Sequence, residues 1–224
     1  MERERLRHGE ERLVRIDIGR ITLEGNVHIP DGARGLVLFA HGSGSGRYSP
    51  RNRFVAEALN QGGLATLLID LLTAEEEAVD MRTAHLRFDI GLLAERVVGA
   101  TDWLKQQPDT SKLAIGYFGA STGAAAALVA AAERPNRVGA VVSRGGRPDL
   151  AGQALRRVKA PTLLIVGGRD VPVIGLNEDA LAQLTAEKRL EIVPGATHLF
   201  EEPGALEEVA RLARGWFQRH LSGQ

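Results

Sequence analysis

The chain has 224 residues, 28 of them basic and 28 acidic, and no cysteine. That length suits one α/β domain able to bury a sizeable core without disulfides or metals. Balanced charge excludes a global field that would draw the chain to nucleic acid or an anionic membrane, and the missing thiols exclude cysteine chemistry.

Residues 1–12 are charged and lack an apolar centre, so they read as a tail and not as a signal peptide. No apolar run reaches membrane-spanning length, and a soluble cytoplasmic protein is the expectation. Residues 13–224 show no repeat, low-complexity tract or linker, so they are expected to form a single domain. Segments 13–18 and 21–29 alternate like paired strands around a turn at Gly19. The apolar run 35–40 reads as a strand buried on both faces. A helix over 49–61 has Pro50 well placed in its first turn, and a strand follows at 64–70. An irregular stretch to about Thr83, with Glu75 to Glu77 as solvated surface, leads to a long amphipathic helix ending near Pro108. A strand at 112–118 precedes a small-residue helix at 124–132, then come a strand at 138–142 and a short helix at 150–158. The last elements are a strand at 162–166, a helix at 176–186, a strand at 189–193 and an amphipathic helix at 205–221. Strand and helix alternate throughout, which predicts a mostly parallel sheet with helices on both faces. Ligands of such sheets bind at the carboxyl ends of the strands.

Several polar residues fall there. Gly119-Ala120-Ser121-Thr122-Gly123 places a serine where a strand turns sharply into a helix. The G-x-S-x-G pattern is weak alone, but that context strains the backbone and lifts a hydroxyl above the sheet edge. Asp170 follows the strand at 162–166 and His198 follows the next one. Serine needs an adjacent base at neutral pH, imidazole has the pKa for it, and a carboxylate fixes the imidazole tautomer. Singly, Ser121 and Asp170 read as helix caps and His198 as a loop histidine. Together, in the order Ser, Asp, His, they predict a catalytic triad.

The stretch His41-Gly42-Ser43-Gly44-Ser45-Gly46 follows the first buried strand, where glycines free backbone N–H groups to turn inward. The expected oxyanion donors are the N–H groups of Thr122 and Ser43, with Gly44 as the alternative to Ser43. His41-Gly42, the Ser121 elbow, Asp170 and His198 together resemble the α/β-hydrolase family, and the compact dienelactone-hydrolase-like branch most of all. The resemblance implies a lidless hydrolase domain with an eight-stranded sheet that needs no metal or organic cofactor. It also implies that His41 supports the oxyanion loop by hydrogen bonding. Dienelactone hydrolases use a cysteine nucleophile and this chain has none, so the resemblance does not carry over dienelactone as substrate.

The span between the strands at 138–142 and 162–166 is too short for a lid. An open site lined by the loops after the third, fourth and sixth strands is therefore expected, suited to small-molecule esters. Arg47, Arg144 and Arg147 are candidates for recognising a substrate carboxylate, against pairing with Asp149 or facing water. No partner is evident for His85. Two other classes remain in view. A dinucleotide-binding domain would use Gly42 to Gly46 with Asp70, but Arg47 stands where the third glycine belongs. The other is a ligand-binding protein that keeps the fold with a silent triad.

Overall fold

Short apolar runs alternating with longer amphipathic ones let a sheet bury both faces beneath helices. A computed structural model describes residues 9–221. Its strands are β1 (Arg12–Ile18), β2 (Ile21–His28), β3 (Gly35–Ala40), β4 (Ala65–Ile69), β5 (Ala114–Ala120), β6 (Val138–Arg144), β7 (Thr162–Gly167) and β8 (Lys188–Val193). They form one sheet in the order β1-β2-β4-β3-β5-β6-β7-β8. The β1–β2 hairpin sets Ile18 opposite Ile21, with Gly19 at φ 62° in the turn. β2 also runs antiparallel to β4, and all later pairings are parallel.

The helices are α1 (Pro50–Gln61), α2 (Ala74–Thr83), α3 (Ile90–Gln106), α4 (Thr122–Glu133), α5 (Val171–Gln183) and α6 (Ala205–Leu221). One face of the sheet carries α1 and α6 over Phe39 and Phe118, with Phe217 of α6 buried in the same cluster. The other carries α3, α4 and α5 over Leu38, Leu67, Tyr117 and Leu164. Each such fully buried side chain contributes about 1.5–3 kcal/mol of transfer free energy. The buried Tyr117 hydroxyl meets Thr101 Oγ1 at 2.7 Å, so the core leaves no orphan there. No helix of the described residues is long and apolar enough to cross a membrane.

Five local expectations are corrected. The stretch before α3 contains α2, started by a reciprocal cap in which Thr73 Oγ1 accepts the Glu76 N–H at 3.2 Å and Glu76 accepts the Thr73 N–H at 2.9 Å. The acidic run is therefore not simply solvated, because Glu76 also pairs with Arg96 at 2.6 Å. Strand β6 runs on to Arg144, in register with Ala120 of β5, where a loop was expected. The segment Pro148–Arg157 is 3-10 helix broken at Gly152, and α5 starts immediately after Asp170. Between β6 and β7 this 3-10 segment is the only described element, so no lid domain is inserted.

Candidate active site

The carboxyl ends of β3, β5, β7 and β8 present their loops at one end of the sheet. Ser121 sits between β5 and α4 at φ 50° and ψ −123°, a conformation that a residue with a Cβ adopts only under strain. Its flanking glycines explain how the turn closes. A Cβ at Gly119 would stand 2.8 Å from the Ala124 nitrogen, and one at Gly123 would stand 2.7 Å from the Ala40 carbonyl carbon. Only glycine lets β5, α4 and the end of β3 approach so closely.

Asp170 occupies the N-cap position of α5 but makes no capping bond with its side chain. Its carboxylate instead accepts from His198 Nδ1 at 2.6 Å. In the neutral imidazole that bond puts the proton on Nδ1 and leaves the Nε2 lone pair free. The two loops that carry these residues are stitched together, since the Gly168 and Arg169 N–H groups donate to the Val193 and Ala196 carbonyls at 2.9 Å each. Glu202 accepts the Thr197 N–H at 3.0 Å and holds the histidine loop from its far side. The turn after β6 is wedged between this pair and the serine. Arg144 O accepts the Ser121 N–H at 3.4 Å, Arg147 N–H donates to Ser121 O at 3.0 Å, and a Cβ on Gly145 would lie 3.5 Å from His198 Nδ1.

The β3 loop is pinned to the end of β4 at two points. His41 Nε2 accepts the Leu71 N–H at 2.9 Å, which puts the proton on Nδ1, where it is donated to Gly42 O at 2.9 Å. At the other point, Asp70 accepts the Arg47 N–H at 2.7 Å and pairs with the Arg47 guanidinium. Between these pins, Ser43 and Thr122 line one cavity of about 260 Å³, and the N–H of neither donates to another described residue. Gly42 keeps the loop against the elbow, as a Cβ there would stand 2.9 Å from Ser121 Cβ. The cavity is also lined by Leu71, Leu72 and Met81. Its outer wall belongs to α2, so the expected open site is partly sheltered on that side.

Burial pushes the His41 imidazole below its usual pKa, while its bond to the Gly42 carbonyl and the charges of Asp70 and Glu77 pull the other way. The unfolded chain then takes up this proton before the folded one does. His41 therefore contributes its full stability above the unfolded value of about 6.5 and loses it as pH falls from there through the lowered folded pKa. Melting temperatures measured from pH 8 down to pH 5 should fall more steeply for the native chain than for His41→Gln. Parallel curves would exclude this role.

The three candidate arginines have different surroundings. Arg47 is buried, bound to Glu24 at 2.5 Å and to Asp70, and stacked 4.5 Å over the Tyr48 ring. Its Nη atoms are taken by Asp70, Glu24 and the Tyr48 hydroxyl, and Nε is buried without a hydrogen-bond partner, so the side chain serves the loop. Arg147 makes two bonds to Asp149 at 2.9 and 2.8 Å, the pairing weighed against substrate binding. Arg144 is buried without a carboxylate partner among the described residues. His85, for which no partner was evident, meets Thr83 Oγ1 at 2.7 Å. The sequence reading misses the buried Asp80 and its partner Arg87, bonded at 2.5 Å, which stand across the cavity from the glycine loop.

This sheet order, with a strained serine elbow after β5 and an acid–histidine pair after β7 and β8, defines an α/β-hydrolase. The dienelactone hydrolase family model matches residues 25–222. The chain belongs to the dienelactone hydrolase family. It is 70% identical to a dienelactone hydrolase of Anabaena variabilis, whose crystal structure superposes with a TM-score of 0.94 over 95% of this chain and 98% of that one. Est1E of Butyrivibrio proteoclasticus shares the fold at 17% identity, with a TM-score of 0.78 over 94% of this chain and 99% of that one. A Mycobacterium tuberculosis protein provisionally named a phosphoribosyl transferase is 59% identical over 210 residues, 94% of this chain and 46% of its own length. The chain thus spans about half the length of that curated relative.

Proposed function

We propose that the chain is a serine hydrolase of small carboxylic esters, with Ser121 as nucleophile, His198 as general base and Asp170 as its orienting carboxylate. The observation that carries this is a strained Ser121 at the turn after β5 together with an Asp170–His198 bond that in the neutral imidazole leaves the Nε2 lone pair free. In the proposed path, Ser121 Oγ attacks the acyl carbon as His198 Nε2 takes its proton. His198 then protonates the leaving alcohol, and water hydrolyses the acyl-enzyme with His198 again as base. The Thr122 and Ser43 N–H groups stabilise the oxyanion, each worth about 3–4 kcal/mol in the transition state. This path uses no metal or organic cofactor.

Esters are favoured over amides because an alcohol is the better leaving group. Phosphoribosyl transfer is not carried over from the mycobacterial relative, about half of whose length lies outside the match. A fluorophosphonate probe tests the reading, with short-chain p-nitrophenyl esters measured alongside. The expected result is ester turnover and a single labelled peptide containing Ser121. A chain that neither labels nor turns over would be a ligand-binding protein with a silent triad.

A further inference from the structure

Arg144 ends β6 next to the serine elbow, yet its guanidinium has almost nothing to hold. The residue is 7% exposed. Its Nε has no hydrogen-bond partner, and Nη2 reaches Asn52 Oδ1 only at 3.4 Å. The Phe200 ring lies 6.0 Å away, at the outer limit of a cation–π contact. Burial pushes its pKa down to about 10, and another cation, Arg51, adds to the depression. Arg51 and Asn52 belong to the first turn of α1, the positive end of that helix dipole. Arg51 itself is one-third exposed and reaches Glu201 only at 3.4 Å. Arg144 thus meets the first turn of α1 at Asn52, and Arg51, the residue before Asn52 in that turn, brings a second guanidinium with a single distant carboxylate, Glu201. Buried charge in that state asks for a counter-charge.

We propose that Arg144, Arg51 and the first turn of α1 form a recess for a phosphate group beside the serine elbow. A dianion matches two guanidinium groups, and their planar forks suit phosphate oxygens. The recess lies on the α1 side of the sheet, whereas the 260 Å³ cavity lies towards α2. A substrate with its ester carbon at Ser121 and a phosphate on the α1 side would use both. That substrate role rests on the ester-hydrolase reading, but phosphate binding does not.

Titration of the full chain with inorganic phosphate, followed by melting temperature and calorimetry, tests the site. The native chain should show saturable binding and a rising melting temperature. Arg144→Met, which keeps the apolar stem and removes the charge, should weaken binding by about tenfold or more. Arg51→Ala, at a more exposed position, should weaken it severalfold and decides the matter should Arg144→Met not fold. No saturable binding to the native chain, or equal binding to the variants, overturns the proposal. Matched esters with and without a phosphate substituent then identify the source. A lower KM for the phosphorylated ester, lost in Arg51→Ala, assigns the phosphate to the substrate. Equal KM values with inorganic phosphate still bound assign the recess to a free anion. Phosphate binding without any labelling of Ser121 would sink the hydrolase reading and leave the recess standing.

Discussion

Ser121→Ala is expected to lower ester turnover by about a millionfold in kcat, the scale on which removing a triad nucleophile acts, and to abolish fluorophosphonate labelling. It should leave stability near its native level, because alanine keeps the Cβ and hence the strain at φ 50°. Ser121→Gly should be equally inactive and more stable. Glycine relieves a backbone conformation that costs about 1–3 kcal/mol for other residues, and each kcal/mol is worth about 2–4 °C in Tm for a chain of this size. Strain kept at the price of stability belongs to function, so a gain in Tm with complete loss of activity would locate the stored strain at this residue. Asp170→Asn adds the third arm. Its amide cannot accept from Nδ1 with a carboxylate's charge, and kcat should fall by about 10⁴-fold with the loops intact. Turnover that survives Ser121→Ala would remove the acyl-enzyme mechanism altogether.

What could be read beforehand followed the strength of local signals. Strand β3 and helix α6 are recovered with their observed ends, because one is uniformly apolar and the other carries a clear amphipathic stripe. The proposed triad can be picked out because each candidate falls after a strand in a recognised order, and two of the three, Asp170 and His198, are hydrogen-bonded to each other. Helix α2 is missed because it has no stripe to detect, Asp80 being its one buried residue. The signal that would have found it is Thr73 followed three positions later by Glu76, the capping box. Arg144 reads as loop because Gly145, Gly146 and Pro148 follow it, yet the β5 partner carries the strand to its end. Arg47 reads as a substrate ligand because its partners Glu24 and Asp70 lie 23 positions away on either side, where no spacing rule reaches. The misses at Arg144 and Arg47 are tertiary contacts, and both bear on which arginine is left without a carboxylate partner.

Gly123→Ala should be the most damaging single methyl that can be added near the site. The new Cβ would collide with the Ala40 and His41 carbonyls, and these are backbone atoms that cannot swing aside as a side-chain tip would. Overpacking against a rigid core costs about 1–3 kcal/mol and sometimes more, and this position belongs at the upper end. The collision also has a direction. It drives apart α4, which supplies the Thr122 N–H, and the end of β3, which leads through His41 to the Ser43 N–H. The two proposed oxyanion donors therefore separate, and losing the use of one lowers kcat by about 10²–10³-fold. Gly175→Ala in α5 is the matched control, with nothing within 4 Å of the new Cβ. There the same methyl should stabilise by about 0.5–1 kcal/mol through helix propensity and leave turnover unchanged. Chemical denaturation and kcat measured on both variants give opposite signs if Gly123 holds β3 and α4 together, and a Gly123→Ala chain with native stability and kcat would show that the elbow can open at no cost.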